Sequence, residues 1–349
     1  MNTRITSTPT QAPGLRGDYT TMTDLAGKIL GSTRKLAATP VKRLLNRVDP
    51  PVLVLLYHRV TTLASDPEML AVTPANFRAH MRYLQENFPL VRFEDDWTAV
   101  SKPAIAVTFD DGYADNALEA LPILEATGVP ATFFVTTGNI GTGREFWWHE
   151  LERLILGQDT LPPQFTLEGG TAERSWETGT GEERRALYDG LVRLMNDAPP
   201  RQRNEWHVQL RRWAGAEPAP DGIHRSMTPE DLCLLANSSL ATIGAHTVSH
   251  TQLAALSAAE QEEEIVGSKR QLESWLGREI VLFSYPFGRR CDYTSETLAL
   301  CRDAGFTRAA ANFPGQAHYW TDPYQIPRHL VRDWPVELFA EKLRGFWTR

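Results

Sequence analysis

Two short segments of the sequence carry residue types that can hold a metal ion and move protons. Asp110 and Asp111 follow directly after the apolar run Ile105–Phe109. Side chains alternate along an extended chain, so the two carboxylates point in different directions, and one could bind a metal while the other acts as a base. Capping of the following helix would explain one aspartate but not two. The second segment is a pair of histidines.

His246 and His250 follow the apolar run Ala241–Ala245. Histidines four residues apart on a helical turn lie on one face, which is a spacing typical of metal ligands. Together with one of the aspartates they give a site of two imidazoles and a carboxylate, which leaves positions for water and substrate on zinc or a similar divalent ion. A further run, Val52–Tyr57, ends at His58, although a lone histidine is more often structural.

The sequence around these residues predicts an α/β fold, because short β-rich runs alternate with helical patterns. We predict strands at Val52–Tyr57, Ile105–Phe109, Thr132–Thr136, Ala241–Ala245, Val281–Tyr285, Thr307–Ala311 and Gln325–Val331. The pattern predicts a distorted, TIM-like (β/α) barrel of seven or eight strands. Catalytic groups of such barrels gather where the strands end, which is where the aspartates and histidines lie.

Helix signals separate the predicted strands. Thr73 and Pro74 begin one helix, a second runs from near Tyr113 to Gly128, and Ser257 with Glu260 forms a capping box for a helix that ends at Gly277. Residues 157–225 interrupt this rhythm with Gly/Pro clusters and one amphipathic helix near residues 182–195. We interpret them as a helical insertion in a barrel domain that covers residues 50–349.

Composition excludes several classes of protein. The chain has 349 residues, 42% hydrophobic and 23% charged, with a formal net charge of −7, which suits a globular domain and not a nucleic-acid-binding face. No apolar stretch is long enough for a transmembrane helix. The three cysteines lack a C-x-x-C spacing and fit reduced thiols. No secretory signal is visible at the N-terminus, so a cytoplasmic location is expected.

Residues 1–49 form a separate N-terminal segment. Its second part, residues 22–48, is basic and carries several leucines. One interpretation is an interfacial helix that makes weak contact with anionic lipid. The other, which we favour, is a solvated lead-in or a helix docked on the main domain.

The motifs resemble those of a known family. T-F-D-D-G at 108–112 and H-T-V-S-H at 246–250 look like the polysaccharide deacetylases of carbohydrate esterase family 4, the NodB-homology domain. F-S-Y-P-F-G at 283–288 resembles the third motif of that family, and L-Y-H at 56–58 resembles its L-x-H motif. The early position of L-Y-H resembles the circularly permuted branch that includes poly-N-acetylglucosamine deacetylases of exopolysaccharide systems.

The resemblance implies a metal-dependent hydrolase that removes N-acetyl groups from amino sugars of a polysaccharide or its precursor and releases acetate. Its ligand set would be Asp111, His246 and His250, holding a divalent ion, by expectation Zn²⁺. Asp110 would be the general base and His58 the general acid. Tyr285, Pro286 and Phe287 would line the sugar pocket, and the backbone around Tyr285 would help to form an oxyanion site.

Two departures from the family pattern stand out. Family members commonly have arginine at the second position of the third motif, where it orients the base, and this sequence has Ser284. We hypothesise that Arg328 supplies the missing charge. The fourth motif, which contacts the general acid, has no clear counterpart, and Asp333–Trp334 is a candidate substitute.

Two alternatives remain open. One is a metal-dependent hydrolase of a small non-peptide amide on the same barrel, which would have a closed pocket and not an open cleft. The other is a non-catalytic glycan-binding descendant, which would have lost the base or a ligand.

Overall fold

The computed structural model describes Asn46 and residues 48–169, 173–216 and 222–347. Residues 46–349 constitute one compact unit. The predicted basic segment at residues 22–48 lies outside the described residues apart from Asn46 and Val48. None of the helices that the structure describes is both long and apolar enough to cross a membrane.

A parallel sheet forms the centre of the molecule. The described strands are β1 (Val52–Tyr57), β2 (Arg59–Val60), β3 (Ala71–Val72), β4 (Ala104–Phe109), β5 (Ala131–Val135), β6 (Gln164–Leu167), β7 (Arg174–Glu177), β8 (Ala241–Ala245), β9 (Leu282–Ser284), β10 (Arg308–Ala310) and β11 (His329–Leu330). Seven of them form the sheet in the order β10–β9–β8–β5–β4–β1–β11, with every neighbouring pair parallel.

The two edges of this sheet approach each other through an irregular segment. Ile326 makes an isolated parallel bridge with Ala310 of β10, and its carbonyl accepts a hydrogen bond from Ala311 N at 2.9 Å. The chain then enters β11 beside β1. The prediction of a distorted barrel is therefore confirmed, with seven strands and each predicted strand recovered to within a few residues.

Burial explains the apolar strand sequences. All six residues of β1 and all six of β4 are buried, and the two strands pair over their whole length from Val52↔Ala104 to Tyr57↔Phe109. Parallel strands covered on both faces need such continuous apolar runs. Because the register is fixed along the full pair, the residues that follow Tyr57 and Phe109 emerge side by side.

Nine α-helices are defined among the described residues: α1 (Pro74–Asn87), α2 (Leu121–Thr127), α3 (Trp147–Leu151), α4 (Gly181–Asn196), α5 (Pro200–Ala214), α6 (Pro229–Asn237), α7 (Ala258–Leu276), α8 (Ser295–Asp303) and α9 (Val336–Phe346). The predicted signals act as expected. Thr73 caps α1, the Ser257–Glu260 box begins α7, and Gly277 ends α7 in the left-handed conformation.

The insertion contains more than the one helix that we predicted. An antiparallel hairpin of β6 and β7 packs with helices α4 and α5 around a separate apolar core, which includes Phe165, Leu187 and Leu210. That core also takes Leu151 and Leu154, which precede residue 157. Helix α5 was not predicted, because arginine and other polar residues dominate its sequence. The three cysteines, Cys233, Cys291 and Cys301, carry free thiols.

Candidate active site and metal centre

Ligand-type side chains converge at the carboxyl ends of β1, β4 and β8. His58 follows β1, Asp110 and Asp111 follow β4, and His246 follows β8. Backbone hydrogen bonds continue the sheet beyond the strands, with Asp110 N donating to Tyr57 O at 3.1 Å and His246 N donating to Val135 O at 3.0 Å. Asp110 and His246 are therefore fixed by the sheet, whereas Asp111 and His250 lie in the loops that follow.

Asp111, His246 and His250 form a buried cluster whose ligand atoms lie within 4.8 Å of one another. Asp111 Oδ1 is 3.5 Å from His246 Nε2 and 3.3 Å from His250 Nε2. Among the described residues, Asp111 Oδ1 has no hydrogen-bond partner although it is buried. A buried carboxylate oxygen facing two imidazole nitrogens fits a divalent metal of the zinc type, which takes such N and O ligands.

The backbone around these ligands is held in uncommon conformations. Asp111, Thr247, His250 and Phe287 have positive φ values of 79°, 63°, 49° and 59°. For residues other than glycine this costs about 1–3 kcal/mol each and is found mostly at functional sites. Thr136 helps to hold the arrangement, because its N–H donates to Asp111 O and its hydroxyl donates to His246 O.

The two histidines of the cluster differ in ionisation. His246 Nδ1 lies 2.7 Å from Ser284 O, which assigns the ring proton to Nδ1 and directs Nε2 toward Asp111. Although burial opposes it, the carboxylates of Asp110 and Asp111 raise the pKa of His246. Burial lowers the pKa of His250 to about 3, so this imidazole is neutral at ordinary pH.

Asp110 does not join the ligand cluster; it forms an ion pair. Arg328 Nη1 donates to Asp110 Oδ1 at 2.7 Å and Nη2 donates to Oδ2 at 2.6 Å. Ser284 Oγ donates to the same Oδ2 at 3.2 Å and accepts from Arg328 Nη2 at 2.8 Å. Burial would raise the pKa of Asp110, but Arg328 overcomes it and holds the pKa well below its usual range. The carboxylate is therefore ionised, and the arginine lies where the sequence hypothesis requires it.

His58 faces the same centre from β1. Burial lowers the pKa of His58, the carboxylates of Asp111 and Asp110 oppose this fall, and Arg328 adds to it. Its Nδ1 is buried, with no hydrogen-bond partner among the described residues. The His58 ring therefore lies within electrostatic range of both carboxylates, Asp111 and Asp110.

Asp333 and Trp334 have other contacts. Asp333 Oδ1 accepts hydrogen bonds from Thr73 N and Asn76 Nδ2 at 2.9 and 2.7 Å, at the start of α1. The Trp334 carbonyl lies 2.7 Å from His80 Nε2. Their assignment as a partner of the general acid was wrong, because these groups anchor α1.

The residues expected to line the sugar pocket divide into two groups. Tyr285 is 1% exposed, its hydroxyl donates to Tyr324 O at 3.0 Å, and its N–H donates to Ala310 O at 3.1 Å. It packs in the core, so its side chain does not line an open pocket and its N–H is not available to an oxyanion. Pro286 is buried, whereas Phe287 is partly exposed and its ring centroid is 4.9 Å from that of His250.

Two residues that the sequence analysis did not identify hold the loop of the histidines. Glu264 of α7 accepts from Val248 N at 2.9 Å and from Ser249 N at 2.8 Å. Arg203 of α5 donates to His250 O at 3.1 Å and to Ser249 O at 3.2 Å. No motif marks either residue, because each acts through backbone groups of a distant loop.

Comparisons with known proteins agree with this geometry. The family model described as "Polysaccharide deacetylase" matches residues 98–157 and 210–309, on either side of most of the insertion. A putative polysaccharide deacetylase of Bacillus subtilis, YxkH, is 23% identical over 288 residues, which cover 80% of this chain and 70% of that protein.

Solved structures share the fold. The putative polysaccharide deacetylase BA0330 from Bacillus anthracis superposes with a TM-score of 0.54 at 22% identity, covering 84% of this chain and 69% of that chain. IcaB from Ammonifex degensii superposes with a TM-score of 0.52 at 17% identity, covering 86% and 97%. Motifs, family match and fold agree, and the chain is therefore similar to polysaccharide deacetylases both in the two matched segments and in its fold.

Proposed function

We propose that this enzyme hydrolyses N-acetyl groups on amino sugars of a polysaccharide or its precursor, with Zn²⁺ or a similar divalent ion bound by Asp111, His246 and His250. The observation that carries the proposal is the buried, unpartnered Asp111 Oδ1 facing two imidazole Nε2 atoms beside an ionised Asp110. When bound, the ion would polarise the amide carbonyl and acidify a water molecule.

Asp110 is our candidate for the general base. It accepts the proton of water as the oxygen–carbon bond to the acetyl group forms. The bidentate contact with Arg328 fixes both carboxylate oxygens in place and stabilises the anion before the reaction begins. Ser284 reinforces this geometry at the position where the family commonly has arginine.

His58 is our candidate for the general acid. Breakage of the carbon–nitrogen bond leaves an amine that needs a proton, and His58 supplies it. An imidazolium with a lowered pKa is a stronger acid, and the two aspartates nearby limit the fall in pKa. The products are acetate and a free amino sugar within the glycan.

The test is acetate release from a panel of N-acetylated glycans, with and without added Zn²⁺. Wild type is compared with Asp110→Asn, with His58→Gln as a second catalytic variant in case the first unfolds, and with Asp303→Asn as an exposed-carboxylate control. Zinc-dependent release that is lost in the catalytic variants and kept in the control supports the proposal. A folded, metal-loaded protein that releases acetate from no glycan contradicts it and favours a small-amide substrate.

A further inference from the structure

A cavity of about 720 Å³ lies between the insertion and the barrel, apart from the site described above. Arg203 and His207 of α5 line one wall, and Trp147 lines another. Residues 248–249, which immediately precede His250, also line the cavity. Its volume is within the range of about 300–1,000 Å³ that is usual for small-molecule sites.

The charged side chains of the cavity have an excess of positive charge. The lining contains Arg144, Arg153, Arg203, Arg211, Glu145 and Glu150. Arg153 is paired with Glu145 and Arg211 with Glu150, which leaves Arg144 and Arg203 as the surplus. Arg203 is 3% exposed and donates hydrogen bonds to the neutral backbone carbonyls of His250 and Ser249. The carboxylate of Glu264 lies near it but lines no part of the cavity. An anion in the cavity would therefore be favoured.

Trp147 Nε1 and His207 Nε2 are among the buried polar atoms of the lining residues that lack a hydrogen-bond partner in the described part of the chain. His207 is 3% exposed, and its Nδ1 lies 3.2 Å from Glu150 Oε2. A buried polar atom without a partner costs about 1–3 kcal/mol, so each such atom calls for an explanation. The indole can only donate, whereas the imidazole nitrogen can donate to an anion or accept from a hydroxyl.

We propose that this cavity binds an acidic sugar unit, a hexose that carries a carboxylate or a phosphate, as a neighbour of the acetylated sugar in the glycan substrate. The inference rests on the proposed function for the identity of the substrate. The anionic group pairs with the surplus arginine charge, and sugar oxygens satisfy Trp147 Nε1 and His207 Nε2. The partly exposed ring of Trp147 offers apolar surface to the sugar ring.

Calorimetric titration of the zinc-loaded wild-type chain tests the inference without turnover. The probes are D-glucuronate, glucose 1-phosphate and glucose, none of which has an N-acetyl group. We expect saturable binding of at least one acid and none of glucose, and the two acids distinguish carboxylate from phosphate. Trp147→Phe keeps the ring and removes the donor, and His207→Leu removes the imidazole. Each should weaken binding by about two- to tenfold, as expected for the loss of one hydrogen bond to a neutral sugar oxygen.

Trp320→Phe is the matched control, because Trp320 is 53% exposed and lies outside the cavity lining, and it should leave binding unchanged. Absence of saturable binding by both acids, equal binding of glucose, or affinities unaffected by both cavity variants would overturn the inference. If one variant fails to fold, the other decides. Acid binding by a protein that releases no acetate would overturn the proposed function and leave the acidic-sugar site standing.

Discussion

Replacement of Arg328 by methionine should destabilise the protein strongly. The Arg328 side chain is fully buried, that of Asp110 is 4% exposed, and the two share hydrogen bonds of 2.7 and 2.6 Å. Without the guanidinium, Asp110 keeps the Ser284 hydroxyl at 3.2 Å but loses its countercharge. Removing one partner of a buried pair costs about 3–5 kcal/mol, because the other charge stays buried. We expect the free energy of unfolding to fall by that amount.

Urea denaturation of metal-free protein in the presence of chelator measures the effect for Arg328→Met, Asp110→Asn and the double variant. The double variant should lose less than the sum of the single losses, with a coupling energy of about 0.5–3 kcal/mol, since no unpaired charge remains. Arg302→Met is the control: Arg302 is 47% exposed and lies 3.8 Å from Asp322. An exposed pair of this kind contributes about 0–1 kcal/mol.

The pH dependence of the unfolding free energy gives an independent test of the Arg328–Asp110 pair. A carboxyl group with a lowered pKa in the folded state stabilises the protein above its unfolded pKa, and this contribution is lost as the pH falls toward the folded pKa. For wild type, the contribution of Asp110 should decline only below about pH 4. In Arg328→Met the carboxylate is buried without its countercharge, so burial raises the pKa of Asp110 above the unfolded value. Protonation then relieves the cost, and the difference in unfolding free energy between variant and wild type should shrink as the pH falls below that raised pKa. Additive losses, or an unchanged acid profile, would refute the reasoning.

Three further predictions concern the site. His58→Gln should lower kcat by about 10²–10⁴ while leaving zinc affinity unchanged, because the side chain donates a proton and is not a ligand; steady-state rates and zinc titration test both parts. Arg203→Met should weaken zinc binding by about 10–100-fold through the loop of His250, whereas the exposed Arg212→Met should not, as measured by competition with a chromophoric chelator. Zinc affinity should fall by up to about tenfold per pH unit below the raised pKa of His246, since a proton must leave Nε2 before the metal binds; an affinity independent of pH would contradict this.

The sequence predicted the fold well because the central strands are short apolar runs with clear ends. The limits of β1 and β8 match the prediction to the residue, and the capping box at Ser257 begins α7 as expected. The grouping of the candidate site residues followed from this, since polar residues directly after parallel strands must meet at one edge of the sheet. The position of Arg328 could be predicted because Ser284 stands where the family motif commonly has arginine. The motif therefore lacked a positive charge beside Asp110, and another arginine had to supply it.

Other features could not be read in the same way. Tyr285 follows a strand and is aromatic, and nothing local indicates that its ring turns into the core and not toward the site. Glu264 and Arg203 act on backbone groups of the histidine loop, and such contacts leave no periodic or spaced pattern. Helix α5 has an apolar stripe of Trp206, Leu210 and Trp213 that covers the insertion core, but arginine and other polar residues dominate the rest of its sequence and the helix was missed.

The most direct test of the account is a titration of metal-free wild-type protein with Zn²⁺ while acetate release from an N-acetylated glycan is recorded. The account predicts no release without metal and a rate that rises linearly to a plateau at one equivalent. Asp111→Asn should show neither tight binding nor release. A full rate in the metal-free protein, or binding of one equivalent that is unaffected by Asp111→Asn, would contradict the assignment of the metal centre.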